Sequence, residues 1–170
     1  MNRTIVALGV VLLACTSIAL GQQDSTWGRW NWLVGDWVGE GSGRPGEGTG
    51  WFSLHPDLDG KILIRKGHAE YPQSKDRPEI IHDDLMIVYV DPPGQPSKAI
   101  YFDNEGHVIN YSVTYPDKSI LFTSEKMKDA PAFRLTYTAL DQDVVNVKFE
   151  MSQDGEKFLT YTEGKCRKVK

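Results

Sequence analysis

The stretch Trp32-Leu33-Val34-Gly35-Asp36-Trp37-Val38-Gly39-Glu40-Gly41-Ser42-Gly43 decides how this chain is read. It stands at the head of a sequence that otherwise runs strand after strand. A bulky indole beside a glycine on a first strand suits a small antiparallel barrel that lays the ring across one end of its core. The alternating glycines at positions 39, 41, 43, 46, 48 and 50 are too regular for a nucleotide-cradling loop. On a strand they permit strong coiling and close backbone approach, and so read as barrel-bending devices.

Working outward, period-two alternation marks ten strands: Trp37 to Gly41, Gly50 to Leu54, Lys61 to Glu70, Leu85 to Val90, Ala99 to Asp103, His107 to Thr114, Ser119 to Ser124, Ala132 to Ala139, Val144 to Met151 and Phe158 to Arg167. Phe133, Leu135, Tyr137 and Ala139 share one face, with Arg134, Thr136 and Thr138 on the other. Asp59-Gly60 and Asn104-Glu105-Gly106 supply hairpin turns. Tyr71 to Asp84, polar and broken by Pro72 and Pro78, reads as a loop, and Pro92 and Pro93 end a strand. Ser25 to Leu33 places Trp27, Trp30 and Leu33 three apart, which predicts a short helical turn capping one barrel end. No crossover helices separate the strands, so parallel pairing is excluded. The expected fold is all-β, an up-and-down antiparallel barrel of about ten strands with a short N-terminal helical turn.

Residues 1–21 read as a secretory leader. Met1-Asn2-Arg3 is basic, Thr4 to Leu20 is nearly all apolar or small, and Ala19-Leu20-Gly21 precedes polar Gln22. Leu12-Leu13-Ala14-Cys15 also resembles a lipobox, but the apolar run continues past Cys15, which favours ordinary secretion to the periplasm or medium over a lipid anchor. The run is short for a membrane span. Residues 22–170 then form one domain. Without the leader the chain carries 18 basic against 23 acidic side chains, which argues against a nucleic-acid partner. Cys166 is left without an internal disulfide partner and reads as a small apolar residue of the last strand.

Gly35-x-Trp37 after a short turn, followed by an all-strand meander over residues 30–170, resembles the calycin superfamily of lipocalins, fatty-acid-binding proteins, avidins and nitrobindin-like barrels. Trp37-Val38-Gly39-Glu40-Gly41-Ser42-Gly43, His82-Asp83-Asp84-Leu85-Met86 and Tyr101-Phe102-Asp103-Asn104-Glu105-Gly106-His107 look most like the uncharacterised secreted calycin-like proteins of bacteria. The resemblance implies a calycin-type barrel in which a basic side chain of the last strand, Arg167 or Lys165, packs on Trp37. It also speaks against nitrobindin-type haem, because Phe158 to Lys170 holds no histidine and Arg44-Pro45-Gly46 replaces that family's Tyr-Pro-Thr. The cofactor stays unassigned.

The candidate binding residues are Trp51, His68, Glu70, His82, Asp83, Tyr101, Asp103 and His107. His68 and Glu70 share a strand face at a spacing that can put two ligands on one metal, although no established metal-site motif occurs and none is assigned. Asp103, Glu105 and His107 surround a tight hairpin, where wet turns favour acids in any case. Joined to His82 at one barrel mouth, they would form a carboxylate–imidazole group able to move a proton. Trp51, Tyr101, Tyr111, Phe133 and Tyr137 are candidates to line a cavity, or simply to fill the barrel. Three readings follow: a barrel holding a small lipophilic or aromatic ligand, an isomerase or hydrolase working through His82, Asp103 and His107, or a packed barrel that binds a partner on its outside.

Overall fold

The computed structural model describes residues 26–41, 48–76, 78–91, 95–125 and 130–170. The expected leader with Cys15, the bend from Arg44 to Glu47, and Pro92 and Pro93 lie outside the described residues.

A 3-10 turn at Gly28–Trp30 leads into ten strands: β1 Gly35–Gly39, β2 Thr49–Asp57, β3 Ile62–Tyr71, β4 Ile80–Asp91, β5 Gln95–Asp103, β6 Val108–Thr114, β7 Ser119–Ser124, β8 Ala132–Asp141, β9 Val144–Ser152 and β10 Leu159–Lys168. Each pairs antiparallel with its chain neighbours, and β1 closes onto β10, so the sheet is a sealed barrel. This architecture is compatible with a calycin-like fold. Closure removes the exposed strand edges that an open sheet would present. The expected strand set holds, with β4 starting at Ile80 in place of Leu85.

Alternation decides which residues face inward. Phe52 and Leu54, Met86 and Val88, Tyr111 and Val113, Ile120 and Phe122, and Leu135 and Tyr137 are buried in pairs two apart. Their rings meet across the bore: Phe52 and Phe122 both pack on Tyr137, at 5.3 and 6.0 Å, and Tyr111 meets Phe122 edge-on at 6.0 Å. These rings fill the waist of the barrel.

Three tryptophans close one end. Trp30 is fully buried, with Trp27 edge-on to it at 6.1 Å. Trp27 donates its indole N–H to the Gly60 carbonyl, and Trp37 donates to the Leu33 carbonyl. The buried indoles thus keep their polar atoms satisfied. The basic residue on Trp37 is Lys168, not Arg167 or Lys165, and register is the reason. Trp37 lies opposite Lys168, whereas Arg167 lies opposite outward-facing Val38 and bonds Glu40 outside the barrel. Lys165 has the same outward parity as Arg167.

The connections β1–β2, β3–β4, β5–β6, β7–β8 and β9–β10 all lie at the opposite end. There the inward residues become progressively exposed, and this end is the mouth. Among the described residues, no helix is long and apolar enough to cross a membrane.

Candidate functional site

The mouth is built from two unlike lips. In the closed order of strands, β4 and β5 face β9 and β10 across the barrel. The β4–β5 lip carries polar groups pointing inward, and the β8–β10 lip carries apolar ones.

On the polar lip, His82 and Asp84 share the inner face with Met86 and Val88. His82 stands between two partners: its Nε2 is 2.8 Å from the Tyr101 hydroxyl and its Nδ1 is 3.0 Å from Glu105 Oε1. Burial, reinforced by the Asp84 and Asp103 charges, pushes the Tyr101 phenol above its ordinary range. His82 is thereby held between a phenol that keeps its proton and the Glu105 carboxylate. Below them Asp84 accepts from the Arg65 guanidinium, an ion pair whose side chains are 8% and 11% exposed. Gly67 makes the pair possible, since a Cβ there would lie 2.3 Å from Asp84 and 2.6 Å from Arg65. Burial opposes the Arg65 charge, but Tyr137 and Asp84 outweigh it and raise its pKa. Arg65 also lies over the Phe52 ring at 5.3 Å.

The apolar lip consists of Phe133, Phe149, Met151, Leu159 and Tyr161. Phe133 stacks on Phe149 at 5.7 Å and Tyr161 meets Phe149 edge-on. Leu159 is 64% exposed and Tyr161, two positions on, 74%, unusual for an apolar and an aromatic residue on a barrel rim. Met151, Leu159 and Tyr161 border a hollow of about 310 Å³ with Asp154 and Lys157. Asp154 organises the turn beneath it by accepting from the amides of Glu156 and Lys157, which hold its pKa down at about 2.

The candidate residues divide into three sets. His82 and Tyr101 come together on the inner face. Asp103 is inward and directly opposite Asp84, but its oxygens are taken up within the β5–β6 turn by the His107 imidazole and the amides of Glu105 and His107. Partial burial works against the Asp103 charge, yet those bonds lower its pKa overall. His107 is exposed at that turn, so the expected His82–Asp103–His107 group does not form as one cluster. Glu105, not Asp103, is the acid bonded to His82.

Trp51, His68, Glu70 and Asp83 form a separate set on the outer face. Phe52 and Leu54 take the inward positions of β2, so Trp51, one residue out of phase, points outward and does not line the interior. Trp51 stacks on His68, whose two ring nitrogens face Asp83 at 2.7 Å and Glu70 at 3.0 Å. Those bonds, Asp83 first, raise the His68 pKa. Both ring nitrogens are thus taken up by neighbouring carboxylates. Among the described residues, no group of three or more His, Cys, Asp or Glu is arranged to hold a metal ion. His55 belongs to the opposite end, paired with Asp36.

Arg65 and Asp84 were not among the candidate residues, and Glu105 entered only as one acid of the hairpin that could join His82. Period two already places Arg65 and Gly67 on the Leu63 face of β3, and a charged residue on an apolar face was the available signal. No known family model matches the chain, and no curated protein does.

Proposed function

We propose that this protein binds a small amphipathic molecule at the mouth of its barrel. The carrying observation is the division of the mouth into an apolar lip, with Leu159 and Tyr161 exposed, and a polar lip of His82, Tyr101 and the Arg65–Asp84 pair. Keeping an ion pair inside a barrel is a poor way to gain stability, because desolvation offsets the attraction. Its retention beside an exposed apolar rim is what a binding site for a two-sided molecule requires. The calycin resemblance and the aromatic waist support the same reading. The waist of the barrel is packed, so the molecule sits above it, between the lips, with Tyr137 in the floor beneath. Export through residues 1–21 belongs to this proposal, and N-terminal sequencing of the protein recovered from producing cells tests it.

Nile red, a neutral apolar dye, tests the site. Wild-type protein is expected to enhance its emission, and Leu159→Ser/Tyr161→Ser to lose most of that enhancement while keeping its unfolding temperature. Unchanged dye binding by the double variant defeats the reading.

A second reading is favoured by one observation, the continuous chain Glu105–His82–Tyr101. Such a chain can carry a proton between solvent and a bound molecule. Conversion of a copurified molecule by wild type but not by His82→Gln would establish catalysis in addition to retention.

A further inference from the structure

Among the described residues, two buried donors beneath the mouth find no acceptor in hydrogen-bond geometry, although the two side chains lie close enough to affect each other. They are the Arg65 Nε–H and the Tyr137 hydroxyl. Tyr137 is 1% exposed, and the Arg65 guanidinium carbon lies 6.0 Å from the centre of its ring. A buried donor without an acceptor is costly to keep, and two on neighbouring side chains point to something they receive from the mouth.

The wall beside them is open. Tyr137 lies opposite Val147, and Val147 opposite Gly164, so the three form one cross-strand row on the inner face. A Cβ added at Gly164 would meet no heavy atom within 4 Å, and Gly164 is exposed. The uncrowded inner face at Gly164 is the side from which a molecule held by Leu159 and Tyr161 would reach toward Tyr137.

Charge decides which group suits these donors. Arg65 is already matched by Asp84, and Asp84 and Asp103 stand directly opposite each other. An incoming carboxylate would face both acids with no unmatched cation to receive it. A neutral acceptor meets no such repulsion and still gains two hydrogen bonds. We propose that the molecule held at the mouth carries a carbonyl group, which accepts from the Arg65 Nε–H and the Tyr137 hydroxyl while its apolar body lies along Phe149, Leu159 and Tyr161. This rests on the mouth-binding reading above and names the chemical class of its ligand.

Three probes with one apolar body test it by equilibrium dialysis: 2-acetylnaphthalene, 2-ethylnaphthalene and 2-naphthoate. Wild type is expected to bind the ketone roughly tenfold more tightly than the hydrocarbon, and the carboxylate more weakly than the ketone. Tyr137→Phe keeps the ring contacts and removes one hydroxyl, and its unfolding temperature beside wild type checks that it folds. It should bring the ketone close to the hydrocarbon without changing the hydrocarbon. Gly164→Leu should weaken both neutral probes. If ketone and hydrocarbon bind wild type equally while Gly164→Leu still weakens both, mouth binding stands and carbonyl recognition is overturned. Tightest binding by the carboxylate, or a ketone preference that survives Tyr137→Phe, also overturns it. Binding of none of the three overturns both readings.

Discussion

The Lys168 ammonium stands 5.2 Å from the centre of the Trp37 indole, and it reaches that position by crossing Gly35. A Cβ on Gly35 would lie 2.8 Å from Lys168 Cε, and the backbone there has φ +134°. Gly-x-Trp is thus the trace of a three-residue contact: the glycine clears a path, and the indole two positions on receives the cation.

Gly35→Ala is expected to destabilise the barrel by about 1–3 kcal/mol, through backbone strain and displacement of Lys168. Lys168→Ala in the same chain should relieve the steric part. Urea unfolding of both single variants and the double variant measures this. Strict additivity would show that the two residues are not coupled.

Asp84→Asn leaves the Arg65 charge buried without its partner and should cost about 3–5 kcal/mol. Replacing both, as Arg65→Met/Asp84→Leu, should cost far less or stabilise. Denaturant midpoints decide between this and a pair that stabilises the fold, for which the double variant would be as damaged as the single.

Burial raises the pKa of Tyr101, Tyr111 and Tyr137, the last to about 12 against an opposing effect of Arg65. A folded pKa above the unfolded value means that the folded state holds its protons longer. Stability from these groups is full below the ordinary value of 10.0 and falls as pH rises above it. Ultraviolet titration should show these phenols ionising late, together with loss of the barrel's circular dichroism. Reversible ionisation of all seven tyrosines near the ordinary value, with the fold intact, would contradict this.

His68 stabilises in the same direction for a different reason, its two carboxylate partners. Its contribution is full below 6.5 and is lost as pH rises through the higher folded value. The stability gap between wild type and His68→Gln should be widest below pH 6.5 and shrink as pH rises above it. A gap that grows with pH would refute the pairing.

Cys166 packs against the core, and burial lifts its thiol to about 11. Native protein should react with a disulfide reagent at neutral pH only as fast as it unfolds, because the thiolate is the reactive form.

The strands were legible because one wet face and one dry face leave a period-two record, clearest in β8 and β9. Where the inner face is polar that record fails. His82-Asp83-Asp84 reads as loop by composition, yet it is strand, because Asp84 faces inward to meet Arg65. The basic partner of Trp37 was misplaced by one residue. Strand register, which sequence pattern leaves open when the last strand ends in Lys165-Cys166-Arg167-Lys168, decides which cation turns inward. The meeting of His82 with an acid of the β5–β6 hairpin was anticipated, but the particular chain from Glu105 through His82 to Tyr101 was not. It joins three residues whose association depends on how β4 and β5 align, and no spacing along the chain encodes that alignment.

The seam between β1 and β10 sets the order in which this protein can be finished. Trp37 forms near the start of the domain, but its second strand neighbour and its cation arrive only with Cys166 to Lys168. As synthesis proceeds, nine strands can add one hairpin at a time, each next to its predecessor. The first edge nevertheless stays unsatisfied until β10 has been made, because closure joins residues far apart in sequence. Until β10 is free to pair, the growing chain therefore remains an open sheet.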